Sequence, residues 1–213
     1  TGYLINAEGV IYGLSGSKEV IQDGVLLFPE EGCSQIAGGA LSDLGSAVEE
    51  IEIPVNITNI QSGAFAGLSN LGWIEADAAN PAYVTVDGVL YTADGSKLLY
   101  LPIGSQTIEL EGKLALSEGL KEISSLALAY NPRLKELMLP ASLERIDAMA
   151  LAYNAAMKSF AWAEGVTPQV VSVGDSAFYY DRSLETVPYM LSCTSLGKAA
   201  FGLASALKEV HIP

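Results

Sequence analysis

The chain has 213 residues, of which half are hydrophobic and 17% are charged, so it can form a large apolar core and general disorder is not expected. Its formal net charge of −14 excludes general nucleic-acid binding and disfavours anionic membranes, because phosphate groups would be repelled. No apolar run approaches the ~20 residues of a membrane-spanning helix, so no membrane insertion is expected.

The first predicted element is a hairpin unit at residues 3–29, which ends in the strand of the first coil. Its two β-rich segments, 8–12 and 25–29, are separated by residues typical of turns. A similar segment occurs about 80 residues later in the sequence, which indicates a higher-order repeat.

Coils are predicted at residues 30–76 and again at 107–213, where one pattern recurs six times. An aliphatic anchor is followed four residues later by alanine and five residues later by Phe or Leu. The anchors are Ile36, Ile60, Ile123, Ile146, Val173 and Leu196; the alanines are Ala40, Ala64, Ala127, Ala150, Ala177 and Ala200; the large residues are Leu41, Phe65, Leu128, Leu151, Phe178 and Phe201.

A second block, apolar-x-x-apolar-x-apolar, follows each large residue and often ends in proline. Successive copies of this block start at residues 48 and 71, and then at 134, 157, 184 and 207. Most of these starts are 23 residues apart, within the ~20–29 residues of leucine-rich repeats. The end of each block reads as a short strand with one buried face.

The predicted fold class is an α/β repeat solenoid. We expect a right-handed stack of leucine-rich-repeat coils with short parallel strands on a concave side and short helical turns on the other. Alanine allows neighbouring coils to approach closely, and the large residue fills the interior that no single coil could bury. The whole chain, 1–213, is expected to be a single domain.

The segment 77–106 interrupts the repeat. Asp87-Gly88 and Asp94-Gly95 are tight-turn signals between β-rich runs, so a three-stranded β-meander projecting from the solenoid is predicted. The two aspartates are interpreted as turn residues, because a calcium loop needs several oxygen ligands at alternating positions.

These motifs together resemble the BspA-like (Treponema pallidum-type) leucine-rich repeats of bacterial surface proteins. The matching segments are Leu-Lys-Glu-Leu-Met-Leu-Pro at 134–140, Ser-Leu-Glu-Arg-Ile at 142–146, Val-Gly-Asp-Ser-Ala-Phe at 173–178 and the insertion at 80–95. Two departures are visible. Only Asn56 fills the asparagine slot after the strand, with Ser142 and Ser192 as weaker equivalents. The slot three residues after the large residue, often cysteine in the family, holds Leu44, Leu68, Asn131, Asn154, Asp181 and Ala204.

The resemblance implies an extracellular or surface-attached bacterial protein that adheres to a host or bacterial surface protein or to a glycan, without catalysis. The alternative is a structural spacer that holds another domain away from the cell wall. The chain begins within a hairpin unit and stops in a new strand at 207–213, so we expect a portion of a longer protein, and an exposed last strand could pair in an edge-strand dimer.

Two surfaces are candidates for binding. Tyr130, Tyr153 and Tyr180 share one slot in consecutive coils, which predicts either a platform for a sugar ring or protein side chain, or a purely structural ladder. The outward strand positions form the second surface, which is interpreted either as a groove for a basic partner or as charge that keeps strand edges soluble. Its residues are Glu50, Glu52, Trp73, Glu75 and Glu136.

Catalytic, metal and cofactor sites are not predicted. Cys33 and Cys193 share a core slot several coils apart, too far for a disulfide at ~4.8 Å per coil, so two free buried thiols are expected. His211 is the single histidine and has no partner at motif spacing.

Overall fold

A computed structural model describes residues 2–16, 19–163, 165–167 and 169–210. The chain separates into two units. Unit 1 comprises Thr1–Asp94 and Tyr100–Gln106, and unit 2 comprises Gly95–Leu99 and Thr107–Pro213. Each unit has its own strands and buried side chains, and the assignment of the whole chain to one domain stays a prediction.

The described residues form short strands almost throughout. The strands that precede unit 2 are β1 (Tyr3–Ile5), β2 (Val10–Leu14), β3 (Ile21–Gln22), β4 (Val25–Leu27), β5 (Gln35–Ile36), β6 (Glu50–Ile53), β7 (Asn59–Ile60), β8 (Trp73–Ala76), β9 (Tyr83–Val86) and β10 (Val89–Thr92). The remaining strands are β11 (Lys97–Tyr100), β12 (Lys113–Ala115), β13 (Glu122–Ile123), β14 (Glu136–Leu139), β15 (Arg145–Ile146), β16 (Ser159–Trp162), β17 (Ser172–Val173) and β18 (Ser195–Leu196).

Each unit contains two rows of parallel strands, as stacked coils require. In unit 1 the first row is β4, β6 and β8, and the second row is β2, β5 and β7. In unit 2 the first row is β12, β14 and β16, and the second row is β11, β13, β15, β17 and β18. Single bridges at Thr186 and Glu209 extend the first row of unit 2. The predicted blocks that start at 48, 71, 134 and 157 are therefore confirmed as parallel strands, whereas those that start at 184 and 207 contribute one parallel bridge each among the described residues.

The predicted helical turns are wrong, and the α/β class is replaced by a β-solenoid. The predicted anchors form a second row of two-residue strands, and the helical content of the described residues is a single 3-10 segment, Ser42–Ala47, kinked at Gly45. The physical reason lies in the turn that follows each anchor. It contains two left-handed residues four positions apart, such as Leu126 (φ 63°) and Tyr130 (φ 60°), which a right-handed helix cannot accommodate.

The turn residues bond to the next coil instead of to their own. In unit 2 the amides of Leu128, Leu151 and Phe178 donate to the carbonyls of Ala150, Ala177 and Ala200. Each amide thus reaches the alanine of the following coil at distances of 2.7–2.9 Å. The Phe178 and Phe201 rings stack with centroids 5.1 Å apart. The predicted file of alanines and large residues is confirmed within unit 2.

The hairpin β9–β10, predicted to project from the solenoid, folds back on unit 1. The Ile74 amide of β8 donates to the Gly88 carbonyl in the hairpin turn at 3.1 Å, and the Ile60 amide of β7 donates to the Tyr83 hydroxyl at 2.7 Å. The hairpin therefore supplies acceptors to the edge strand of both rows of unit 1. The third strand predicted for this insertion, β11, pairs in parallel with β13 and belongs to the second row of unit 2.

Asparagines bridge neighbouring coils in unit 1. The Asn56 side chain donates to the carbonyls of Pro29 and Cys33 at 3.0 and 2.8 Å, and Asn80 donates in the same way to Pro54 and Ile57. The prediction that only Asn56 fills this slot is wrong, because the loop before Asn80 is one residue longer and hides the equivalence.

A second polar ladder runs through the interior of unit 2. The backbone N–H of Asn131 donates to Asn154 Oδ1, and the backbone N–H of Asn154 donates to Asp181 Oδ1, both at 2.8 Å. All three side chains are almost fully buried. Burial raises the pKa of Asp181 to about 8, although the bond from the Asn154 amide lowers it. Asp181 is therefore largely protonated at neutral pH, and its Oδ1 is the acceptor at this end of the ladder.

Replacing this carboxyl tests the ladder. Asp181 binds a proton in the folded state up to about pH 8 but releases it near pH 4 when unfolded, so its contribution to stability falls as pH rises between these values. Asp181→Asn keeps the Oδ1 acceptor and cannot ionise. We expect its melting temperature at pH 8 to exceed wild type by several degrees, at roughly 2–4 °C per kcal/mol. The difference in melting temperature between Asp181→Asn and the wild type, measured from pH 5 to pH 8, isolates this carboxyl from the others. A difference that does not change with pH would contradict the raised pKa of Asp181.

The left-handed turn positions give a second prediction. Ala199 is exposed and has φ 52°, whereas the exposed Ala155 is not among the residues with positive φ. Ala199→Gly should stabilise the protein by roughly 0.5–1 kcal/mol, because glycine adopts this conformation without strain. The matched Ala155→Gly should destabilise it by a similar amount. Urea unfolding measures both changes, and the same sign for the two would refute the explanation.

Candidate binding surfaces

The outward positions of β6 and β8 form an acidic face on unit 1. The strands alternate between buried and outward residues, so Ile51 and Ile74 enter the core while their neighbours point away. Strand register places Glu50 beside Trp73 and Glu52 beside Glu75. These four predicted site residues are therefore brought together as the sequence indicated.

A groove lies at one end of this face. Its volume is about 420 Å³. It is lined by the apolar residues Leu27, Phe28, Ile53 and Pro54 and by the carboxylates of Glu30, Glu52, Glu75 and Asp77. We call this set the acidic groove. It combines an apolar floor with a rim of four exposed carboxylates.

Among the described residues, no basic side chain forms an ion pair with the carboxylates of the acidic groove, whereas in unit 2 acidic residues pair with lysines, as in Lys121–Glu144 and Lys208–Glu185. Unit 1 contains 13 acidic residues and one basic residue, Lys18, which is outside the described residues. Unit 2 contains 12 acidic and 10 basic residues, so the net charge of the chain resides mainly on unit 1.

Trp73 forms part of the acidic face but is not a free aromatic platform. A Cβ placed on Gly88 would lie 2.5 Å from the indole ring, so the hairpin turn lies directly against one face of Trp73. The indole N–H donates to Glu75 Oε2 at 3.1 Å. Trp73 therefore orients a carboxylate of the acidic groove.

Glu136 does not join the acidic face, because it belongs to the first row of unit 2. There it lies beside Lys113 in strand register. A hydrogen bond and charge from Glu111, with further contributions from Glu136 and Glu109, raise the pKa of the Lys113 ammonium. The predicted acidic row thus divides into an unneutralised part in unit 1 and a compensated part in unit 2.

The three predicted tyrosines form a stack in unit 2, which we call the tyrosine stack. Tyr130 and Tyr153 are parallel, with centroids 4.7 Å apart and planes 6° apart, and Tyr180 lies 5.4 Å beyond Tyr153. The guanidinium of Arg182 lies over the Tyr180 ring, 3.9 Å from its centroid. At the opposite end, Tyr130 is 49% exposed.

Stability does not explain the choice of tyrosine in this slot. All three tyrosines have left-handed φ values of 60–66°, at a cost of about 1–2 kcal/mol each. Two ring pairs return roughly 0.5–1.5 kcal/mol each and the Arg182 contact about 0.5–1 kcal/mol. The contacts therefore return at most about what the backbone conformation costs. In unit 1 the coil of Phe65 has Gly67 in the same slot, which adopts φ 89° without that cost.

Sequence reasoning missed several members of these surfaces. Glu30 and Asp77 follow β4 and β8, which belong to one row with β6 between them, so both could have been placed at the same end of that row. Arg182 follows Tyr180 by two residues, but nothing in that spacing indicates that its guanidinium folds back over the ring. In the interior of unit 2, Asn131, Asn154 and Asp181 share one slot in consecutive coils, and this spacing could have predicted the polar ladder from the sequence.

The two cysteines and the histidine are the remaining residues that the sequence singled out. No cluster of three or more metal-ligating side chains occurs in the part of the chain that the structure describes, and none of its helices is long and apolar enough to cross a membrane. Cys33 and Cys193 are both free and buried, and burial raises the pKa of the Cys33 thiol. His211 and the end of the predicted edge strand, 211–213, lie outside the described residues.

Comparisons with known proteins agree on the repeat. A family model described as the BspA type leucine rich repeat region matches residues 28–80 and 105–208 in six copies. Curated protein sequences offer no match.

Two solved structures are similar in fold. The first is the pneumococcal vaccine antigen PcpA, at 21% identity and a TM-score of 0.65, with 78% of this chain and 38% of that chain covered. The second is a leucine rich cell surface protein from Faecalibacterium prausnitzii A2-165, at 18% identity and a TM-score of 0.61, with 88% and 58% covered. The chain thus spans about two fifths and three fifths of these proteins.

The contact between Gly88 and Trp73 gives a prediction with a built-in control. Gly88→Ala places a methyl group against the indole at φ 74°, so it should destabilise unit 1 by roughly 1–3 kcal/mol and change tryptophan emission. Gly95→Ala has a similar φ of 69° but opens onto free space, so it should show only the smaller backbone cost and unchanged emission. Equal effects in thermal melts and fluorescence would show that the indole contact is not important.

Proposed function

Because the chain belongs to the BspA-type leucine-rich-repeat family, we propose that it is a binding module of a bacterial surface protein, without catalysis, and that the acidic groove of unit 1 binds a cationic polypeptide segment. One of the similar structures is a cell surface protein and the other a vaccine antigen, which supports an extracellular location. The observation that carries the proposal is a set of unneutralised carboxylates over an apolar floor.

The carboxylates favour a cationic occupant. Glu52 and Glu75 lie side by side on neighbouring strands, which are roughly 4.8 Å apart. Two carboxylates at about 4 Å repel each other by about 1 kcal/mol in bulk water and by more at lower dielectric. An ammonium or guanidinium group between them removes this repulsion. The indole of Trp73 already orients Glu75, so less side-chain entropy is lost when the cation binds.

The apolar floor favours a polypeptide over a small cation. Exposed ion pairs contribute only roughly 0.2–1 kcal/mol each, so charge alone gives a fast encounter and little affinity. Of the apolar lining residues, Leu27 is exposed and Pro54 is half-buried. Packing one aliphatic side chain against these two residues adds at most about 1.5–3 kcal/mol, the value for complete burial. A segment that presents cationic and aliphatic side chains together uses both parts of the acidic groove.

A binding experiment tests the acidic groove directly. The probe is a fluorescein-labelled peptide of alternating lysine and leucine, with a glutamate-leucine peptide as control. We expect the lysine peptide to bind, with affinity falling as salt rises from about 50 to 500 mM. The double variant Glu52→Gln/Glu75→Gln should weaken binding about tenfold, equivalent to roughly 1.4 kcal/mol.

The control variant Glu8→Gln/Asp43→Asn removes the same charge from unit 1 at exposed residues that do not line the acidic groove. It should bind the lysine peptide nearly as well as the wild type in fluorescence anisotropy titrations. If both double variants weaken binding equally, the effect is one of net charge and the groove is not the site. If the lysine peptide does not bind at all, the spacer function is favoured instead.

A further inference from the structure

The tyrosine stack of unit 2 is a second surface that the proposed function does not use. We propose that the outer face of Tyr130 binds the guanidinium group of an arginine on a partner polypeptide. This arginine would occupy one end of the stack as Arg182 occupies the other. The proposal does not depend on the acidic groove, which lies in unit 1.

The Tyr180 end shows which chemistry the stack accepts. The Arg182 guanidinium carbon lies 3.9 Å from the Tyr180 centroid. At this distance a cation is attracted to the negative face of the ring, and a planar guanidinium also stacks on it. The protein thus already contains one example of the proposed contact.

The Tyr130 end is open. Tyr130 is 49% exposed, whereas Tyr153 and Tyr180 have intermediate exposure. Among the residues that the structure describes, Tyr130 has one aromatic neighbour, Tyr153, which covers a single ring face. The proposed guanidinium contacts the exposed part of the Tyr130 ring that Tyr153 does not cover.

The contact made by Arg182 favours a guanidinium at this face over a neutral sugar. Arg182 belongs to unit 2 and lies over a ring of the same stack. A guanidinium gains cation–π attraction and planar stacking on a tyrosine face, whereas a neutral sugar gains no cation–π attraction.

The experiment follows the tyrosine rings individually. The full chain is labelled with ¹³C at the tyrosine ring carbons, and the Tyr130 signal is identified by its loss in Tyr130→Leu. The probes are a blocked glycine-arginine-glycine peptide, the same peptide with citrulline, and methyl β-glucopyranoside. Citrulline keeps the planar shape of arginine without its charge.

The arginine peptide should shift the Tyr130 signals at millimolar concentration, and citrulline should produce less than a third of that shift. Tyr130→Phe, read at the neighbouring Tyr153 ring, should still respond, whereas Tyr130→Leu should not. Tyr12→Leu, at an exposed tyrosine of unit 1, should leave the Tyr130 shift unchanged.

A gain of binding provides the strongest test. Arg182→Gln uncovers the Tyr180 face, so the arginine peptide should then shift the Tyr180 signals as well. Equal shifts with citrulline would overturn the proposal, because charge would not matter. Shifts with the glucoside alone would make the stack a sugar platform, and no shift at Tyr130 with any probe would make it purely structural. Glu52→Gln/Glu75→Gln should not change these results, so failure here is distinct from failure of the acidic groove.

Discussion

The hydrogen bonds between successive coils are the constraint on which the rest of the structure depends. A coil of about 23 residues cannot pair its backbone groups internally, so each side of it must pair with the coil before or after. The strand rows provide two sides of this pairing. The turns provide a third, in which the amides of Leu128, Leu151 and Phe178 reach the next coil. Left-handed residues occur in these turns because they direct the amides outward along the stack.

This pairing fixes equivalent positions of neighbouring coils about one strand spacing apart, so any side chain that is repeated in a slot meets its own copy. Phenylalanines become a stacked core file, as Phe178 and Phe201 show. The asparagines Asn131 and Asn154 become a buried polar ladder that ends in the protonated Asp181. Tyrosines at an outward slot become an exposed stack. Surface chemistry in this fold therefore follows from repetition along the chain.

The two units use this rule differently. Unit 1 repeats carboxylates along its first strand row and leaves them unneutralised, so its outward face is negatively charged. Unit 2 balances its acidic residues with lysines and arginines in cross-coil pairs such as Lys97–Glu122 and Lys208–Glu185. Its distinctive surface is aromatic instead. The partners proposed for both surfaces are cationic, bound through carboxylates in unit 1 and through a ring face in unit 2.

The sequence by itself determined the repeat, the parallel strands, the alanine and phenylalanine files and the sharing of one slot by Tyr130, Tyr153 and Tyr180, because each follows from a fixed offset along the chain. Only the tertiary structure decided that the far side is strand and left-handed turn instead of helix, and that the hairpin covers one face of Trp73. It also decided that Arg182 lies over Tyr180 and that Glu30 and Asp77 join the acidic groove. These features depend on the direction of the backbone in the turns and on contacts between residues outside the repeat. The spacing of residues along the chain therefore does not predict them.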